Sequence, residues 1–375
     1  MSHTDPSATA TITPAAPPHA ATLSADGTRQ MGGSPGSAVH CPSVPGYEIL
    51  AKLGEGGMAD VYLGRDVLLD HRVAIKFIRS VRVTDRVRFL AEAQALASVR
   101  HPNVVRVVTF GDAGDTPYLV MEYLAGGSLA DRLKAGGRLP IRDAVGLVAK
   151  LARAMQAVHD LEVIHRDLKP GNVLFDATAA GGPVWGEPKV ADFGLAKRAG
   201  GSDLTASHAV LGTPAYMAPE QARGDSRFVG PQADVYALGV TLYECLTGRK
   251  PFEAADHLRV LQLVVEGQFP SPRRLRGDIP RDLETVLLGA LAHDLDRRYP
   301  TAGRLADDLD RVLANQPVSV RPVGRVERAA RWAARKPAAA LAGVLGLVAV
   351  LTAAAGVAFA LLWVRADRAR ADAEG

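Results

Sequence analysis

Ile164-His165-Arg166-Asp167-Leu168-Lys169-Pro170-Gly171-Asn172 sets a carboxylate, Asp167, and an amide, Asn172, five residues apart. Asp167 is suited to orient a hydroxyl nucleophile and accept its proton while Asn172 holds a metal ion, the division of labour that phosphoryl transfer needs. Alone, an Asp-x-x-x-x-Asn reads as a turn or a helix cap. Its neighbours, which arrive in a workable order and spacing, change that reading.

Upstream, apolar alternation starts at Tyr47-Glu48-Ile49-Leu50 and runs into Leu53-Gly54-Glu55-Gly56-Gly57-Met58-Ala59-Asp60-Val61-Tyr62-Leu63, which predicts strand, glycine turn, strand. Glycines let a backbone approach phosphate oxygens closely and offer them its N–H groups. The strand Val73-Ala74-Ile75-Lys76 then places one ammonium beneath the loop. Sixteen residues on, Glu92 sits in a segment with apolar residues at helical spacing, where it is expected to fix Lys76 onto the α- and β-phosphates of a nucleotide. Two further strands, at 104–109 and 118–121, lead to Glu122-Tyr123-Leu124-Ala125-Gly126-Gly127, an extended chain that can offer backbone groups to a flat heterocycle. Beyond it Val145, Val148, Leu151, Met155 and Val158 mark one face of a helix running into the opening stretch.

Downstream come Ala191-Asp192-Phe193-Gly194, then Gly212-Thr213-Pro214-Ala215-Tyr216-Met217-Ala218-Pro219-Glu220, then Asp234-Val235-Tyr236-Ala237-Leu238-Gly239. With these motifs in order, the chain resembles the eukaryotic-like (Hanks-type) serine/threonine protein kinases of bacteria over residues 47–313. The resemblance implies an α+β, two-lobed protein-kinase fold, with a β-rich lobe at 47–124 and a mainly helical lobe at 125–315. It also implies ATP with Mg²⁺, or Mn²⁺ in its place, and protein substrates.

By resemblance, Asp167 is the catalytic base, and Lys169 lies near the γ-phosphate in the form of the loop that goes with Ser/Thr acceptors. Lys76 and Glu92 position the phosphates; Asp192 and Asn172 hold the metal. The backbone of Gly54 and Gly56 covers the triphosphate, Leu53, Glu55 and Gly57 belong to the same nucleotide-binding stretch, and Val61 and Ala74 pack against adenine. Met121 stands behind the adenine, Glu122 and Leu124 bond to it through backbone groups, and Ser128 stands near the ribose. Ala59 occupies the place of the family's third glycine, which implies slower or weaker nucleotide handling. Arg166 implies a dock for a phosphorylated residue, with Thr205 and Ser207 as autophosphorylation sites ahead of Ser202, while Thr213 bonds within the active site. Glu220 is expected to pair with Arg298, Asp234 to cap the backbone of the catalytic loop, and His165 to serve packing. Cys245 reads as a buried small hydrophobe. An insertion at 176–186, rich in turn residues, predicts a surface excursion of a hairpin.

The chain has 375 residues, 47% of them hydrophobic, enough to bury a sizeable core. Its net charge of +4 is local, since six Lys/Arg fall between Arg321 and Lys336, so a nucleic-acid surface is not inferred. Two cysteines, Cys41 and Cys245, exclude a disulfide framework and a Cys-rich zinc site. His40-Cys41 lacks partners for a metal. Residues 1–45 are rich in Ala, Ser, Thr, Pro and Gly, without periodicity or the apolar run of a secretory signal, and predict a disordered tail.

After a basic linker at 316–337, no charge occurs from Pro337 to Val364. As a helix, residues 338–364 would span about 40 Å, more than the roughly 30 Å of hydrocarbon, which predicts one tilted transmembrane crossing anchored by Trp332 and Trp363. The six cations on the near side, against three beyond, set that side in the cytoplasm, where ATP and Mg²⁺ are found, and make 365–375 a short extracytoplasmic tail. The expectation is a single-pass protein of the cytoplasmic membrane, compatible with a homodimer that phosphorylates in trans. Whether the C-terminus belongs to a longer receptor is left open, as are the activating signal and the substrates. Two alternatives stand beside the protein kinase: a pseudokinase scaffold, against which every catalytic position is present, and a small-molecule kinase, against which stands the Ala-Pro-Glu segment.

Overall fold

Alternation of apolar and polar residues builds an antiparallel five-stranded sheet from the first part of the chain, in the order β1-β2-β3-β5-β4. Its strands are β1 (Tyr47–Glu55), β2 (Ala59–Asp66), β3 (Arg72–Ile78), β4 (Val107–Ala113) and β5 (Thr116–Glu122), with helix α1 (Val83–Ser98) between β3 and β4. The computed structural model describes residues 43–56, 59–79, 83–176, 186–193, 214–224, 229–320, 351–353 and 355–356.

Successive side chains on a strand point to opposite faces, so the sheet has two. One carries Tyr62, Val73, Ile75, Phe77, Tyr118 and Val120, which pack with Val44 into a small cluster. Ile78, Leu119 and Met121, of opposite parity, join the main core instead. Strand β4 begins later than expected, because Val104 and Val105 pair elsewhere: the Val105 N–H donates to the Val190 carbonyl at 2.9 Å.

Helices then take over: α2 (Leu129–Gly136) and α3 (Ile141–His159), followed by the hairpin β6 (Val173–Phe175) and β7 (Pro188–Val190). After it come α4 (Pro219–Ala222), α5 (Gln232–Thr247), α6 (His257–Glu266), α7 (Pro272–Leu275), α8 (Arg281–Ala290) and α9 (Ala302–Leu313). The expected stripe of α3 is buried in full, from Val145 to Val158. Helix α5 is apolar around nearly its whole circumference, the pattern of a helix enclosed by others, and its α3, α8 and α9 neighbours surround it. Gly248, at φ 74°, ends α5 in the left-handed region that suits glycine.

The chain divides into two units, Met1–Val320 and Arg321–Gly375. The first extends into what the sequence assigns to the linker, because Asp308 on α9, fully buried, accepts hydrogen bonds from the Ser319 N–H and hydroxyl and from the Val320 N–H. In the second, 351–353 and 355–356 are helical, and among the described residues no helix is long and apolar enough to cross a membrane. The rest of the predicted span 338–364 lies outside the described residues, as do 1–42 of the predicted tail and the insertion at 177–185.

Candidate active site

Sheet register decides which side chains reach the cleft. Val61 pairs with Lys76, Leu63 with Ala74, and Ala74 with Met121, and directly opposed residues of antiparallel strands share a face. Val61, Ala74, Lys76 and Met121 therefore stand on one face, with Gly54 opposite Val61 at the mouth of the glycine loop. That face closes a narrow cavity lined by Lys76, Met121, Leu119 and Leu96 from the sheet and α1, and by Asp192 and Phe193 from beyond β7. Glu92, half-buried, lies one turn before Leu96 and shares its side of α1.

The other wall is the catalytic loop, and α5 holds it. Asp234, 1% exposed, accepts from the backbone N–H groups of His165 and Arg166, each at 2.8 Å, as expected. Its third donor is the Nε2–H of His159 at 2.8 Å, a contact without a motif to announce it. Arg166 needs such an anchor because its φ is +64°, and its carbonyl accepts from Gln221 Nε2 at 3.1 Å. His165 is a packing residue, as expected: fully buried, it lies 4.7 Å from the Phe193 ring. Its Nδ1 accepts from the Asp167 N–H and its Nε2–H donates to the Ala191 carbonyl at 3.0 Å, which fixes the neutral tautomer. Burial lowers its pKa, against the partial opposition of Asp234.

These walls bring the predicted residues into one chain of contacts. The Lys76 ammonium donates to Asp192 Oδ1. Asn172 receives the Ala191 N–H on its carbonyl at 2.8 Å and donates its side-chain amide to the Asp167 carbonyl at 2.7 Å. Lys169 Nζ reaches Asp167 Oδ2 at 3.2 Å. Burial would raise the pKa of Asp192, but the field and hydrogen bond of Lys76 outweigh it and hold the carboxyl below its usual range.

The residues present fit a magnesium ion. The Asn172 amide nitrogen is committed to Asp167, which turns its oxygen the other way, and Asp192 brings a carboxylate into the same cleft. Among the described residues no group of three or more His, Cys, Asp or Glu could hold a metal by itself. That pattern suits Mg²⁺, which takes one or two side-chain oxygens and completes its shell with phosphate and water.

Two of the predicted residues carry structural contacts as well. Ser128 is 3% exposed, and its hydroxyl belongs to a capping box: it accepts the Asp131 N–H at 3.1 Å and donates to Asp131 Oδ2 at 2.6 Å. It starts α2, a helix-capping role that the ribose reading did not include. Glu122 has its own N–H bonded to the Arg106 carbonyl at 3.0 Å, and its carboxylate accepts Lys189 Nζ at 2.8 and 2.9 Å, so its side chain ties the inter-lobe connection to β7. Leu124 is buried beside it. Gly57, Thr205, Ser207, Ser202 and Thr213 lie outside the described residues.

The remaining expected pair is present. Arg298, 2% exposed, grips Glu220 with two parallel bonds of 2.7 and 3.1 Å. Its other donors go to the Ala292 and Gln232 carbonyls, and breaking such a pair from one side costs roughly 3–5 kcal/mol. Cys245 is fully buried, and burial pushes its thiol pKa up, which leaves it inert.

The protein kinase domain family matches residues 47–305. The chain belongs to the protein kinase family. Its kinase domain is 37% identical over 266 residues to "Serine/threonine-protein kinase PrkC" of Bacillus subtilis, covering 70% of this chain and 40% of that protein. It is 41% identical over 280 residues to "Serine/threonine-protein kinase PknB" of Mycobacterium leprae, covering 72% and 43% respectively. The chain thus spans about two fifths of the length of these curated relatives. Among solved structures, Rad53 1–466 in complex with AMP-PNP superposes with a TM-score of 0.58 at 25% identity, over 72% of this chain and 65% of that one.

Proposed function

We propose that the chain is an ATP-dependent protein kinase that transfers the γ-phosphate to Ser and Thr hydroxyls of proteins. The observation that carries this reading is the contact chain in which Lys76 meets Asp192 while Asn172 and Lys169 both bond to Asp167. Lys76 receives the α- and β-phosphates, and Glu92, on the facing side of α1, backs its charge. Asn172 and Asp192 would hold Mg²⁺, which supplies neutralisation of the phosphate charge. Asp167 orients the acceptor hydroxyl and takes its proton, and Lys169 steadies the charge of the group in transfer. The Glu122 carbonyl and the Leu124 N–H serve the adenine edge.

Autophosphorylation of Thr205 or Ser207, in trans between two copies, belongs to the same reading, supported by the Arg166 guanidinium beside the base. So does a single membrane crossing at 338–364 with the kinase domain in the cytoplasm, supported by the uncharged run and the flanking arginines. Incorporation of label from ATP into a protein acceptor, wild type against Asp167→Asn, tests the mechanism: a loss of about 10²- to 10⁴-fold is expected, and equal incorporation would remove it.

A further inference from the structure

Opposite the cleft, at the root of the glycine loop, four charged side chains close into a network. Asp60 pairs with Phe77, so it stands on the face of the sheet away from Lys76, and Arg79, two residues beyond Phe77, has the same parity. The Arg79 guanidinium grips Asp60 with both ends of its fork, Nε to Oδ2 and Nη2 to Oδ1, each at 2.5 Å. The same Nη2 reaches Glu55 Oε1 at 2.7 Å. Lys52 completes the network, with its ammonium 2.7 Å from Glu55 and 3.1 Å from Asp60.

Glu55 and Asp60 are themselves the last paired rung of the β1–β2 hairpin. Immediately beyond that rung the Gly56 N–H donates to the Ala59 carbonyl at 2.9 Å, which carries the pairing of the two strands one step further. Gly54 and Gly56 give this hairpin the backbone freedom to lie down on phosphates and equally the freedom to lift away. A cross-link at its root selects between the two, and a planar fork on a carboxylate that is only 13% exposed fixes direction as well as distance.

We propose that Arg79 is a positioning residue for the nucleotide: from the far face of the sheet it pins the β1–β2 hairpin and holds the glycine loop over the triphosphate. The inference rests on the ATP-dependent reading above. Arg79 touches no reacting atom, so its effect falls on nucleotide binding and leaves the transfer step alone.

The test measures Mg·ATP binding by calorimetry, and KM for ATP and kcat, on the full chain for wild type, Arg79→Met, Asp60→Asn and their double variant. Arg65→Met is the control, since Arg65 bonds Glu48 and Asp70 on the same sheet but remote from the loop. The expected result is a rise of about fivefold in Kd and KM for ATP in either single variant, kcat within about twofold, and a double variant no worse than the singles. Arg79→Met and Asp60→Asn that bind Mg·ATP as tightly as Arg65→Met, whatever their melting temperatures, would overturn the proposal and leave the kinase reading intact. A folded wild-type chain that does not bind Mg·ATP would overturn both.

Discussion

Replacing Asp234 with Asn exchanges one carboxylate oxygen of the anchor under the catalytic loop for an amide NH₂ and should cost both stability and turnover. The carboxylate serves three donors: Oδ2 takes the His165 N–H and His159 Nε2, and Oδ1 takes the Arg166 N–H. An amide can keep its oxygen toward His165 and His159, but its NH₂ then faces the Arg166 N–H. Leaving that buried donor unsatisfied costs about 1–3 kcal/mol. The two remaining bonds lose their ionic character, at roughly 1 kcal/mol each. Burying a neutral amide in place of a carboxylate returns part of the desolvation cost, which leaves a net loss of about 2–4 kcal/mol from a domain stability of ~5–15 kcal/mol.

The kinetic consequence is separable. Arg166 is held at φ +64°, a conformation that costs a non-glycine residue roughly 1–2 kcal/mol, and its N–H bond to Asp234 holds it there. Once released, the peptide relaxes and carries Asp167 with it, and a displacement of about 1 Å at a catalytic group lowers turnover by ~10²-fold. Urea unfolding followed by circular dichroism measures the first effect, and phosphoryl transfer at saturating ATP, well below the melting temperature, measures the second. KM for ATP should hardly move, since Lys76 and the glycine loop belong to the sheet. A variant that unfolds with the wild-type midpoint, or one that is destabilised yet transfers phosphate at the wild-type rate, would refute the linkage between α5 and the base.

Glu162 lies at φ +58°, just after α3, so Glu162→Gly should raise stability by roughly 0.5–1 kcal/mol, seen as a higher melting temperature with unchanged activity. Burial would raise the pKa of Asp308, but the Ser319 N–H and hydroxyl, Tyr299 and Arg311 outweigh it and hold the carboxyl below its usual range. A depressed native pKa adds stability that is complete above the unfolded value of about 3.9 and is lost as pH falls through the native one. Protection of the Ser319 and Val320 amides, measured against their intrinsic exchange rates, should therefore persist at about pH 4 and be lost only as pH falls through the depressed native value, and Asp308→Asn should remove it at neutral pH; absence of protection in the wild type at neutral pH would contradict the anchor.

The catalytic loop, the pairing of Glu220 with Arg298 and the role of Asp234 were legible because each rests on residue types whose chemistry leaves few alternatives. Strand parity was legible too, since Val73-Ala74-Ile75-Lys76 alternates. The capping role of Ser128 was readable but passed over: Ser128-Leu129-Ala130-Asp131 carries a capping-box pattern, in which the hydroxyl starts a helix. His159 and Gln221 went unnoticed because a single polar residue at the end of a helix has no periodicity to betray its burial. The same holds for Asp308, whose partners Ser319 and Val320 lie eleven and twelve residues away in a segment that composition assigns to a linker.

Two scaffolds with different periodicities thus meet at one residue. The sheet sets Lys76 by parity: sliding β3 by a single residue against β2 would send Lys76 to the outer face among Tyr62 and Val120 and bring Phe77 into the cleft. The helical part sets Asp167 through Asp234 and would not notice such a slip. Asp192 joins them, and its place is fixed by neither scaffold alone. The Val190 N–H donates to the Asn103 carbonyl at 2.8 Å, while the Val105 N–H, from the segment leading into β4, donates back to Val190. The Ala191 N–H meanwhile bonds to Asn172 in the catalytic loop. The two residues before Asp192 are therefore bonded one to each side, so a movement of either lobe is felt first at the carboxylate that Lys76 touches.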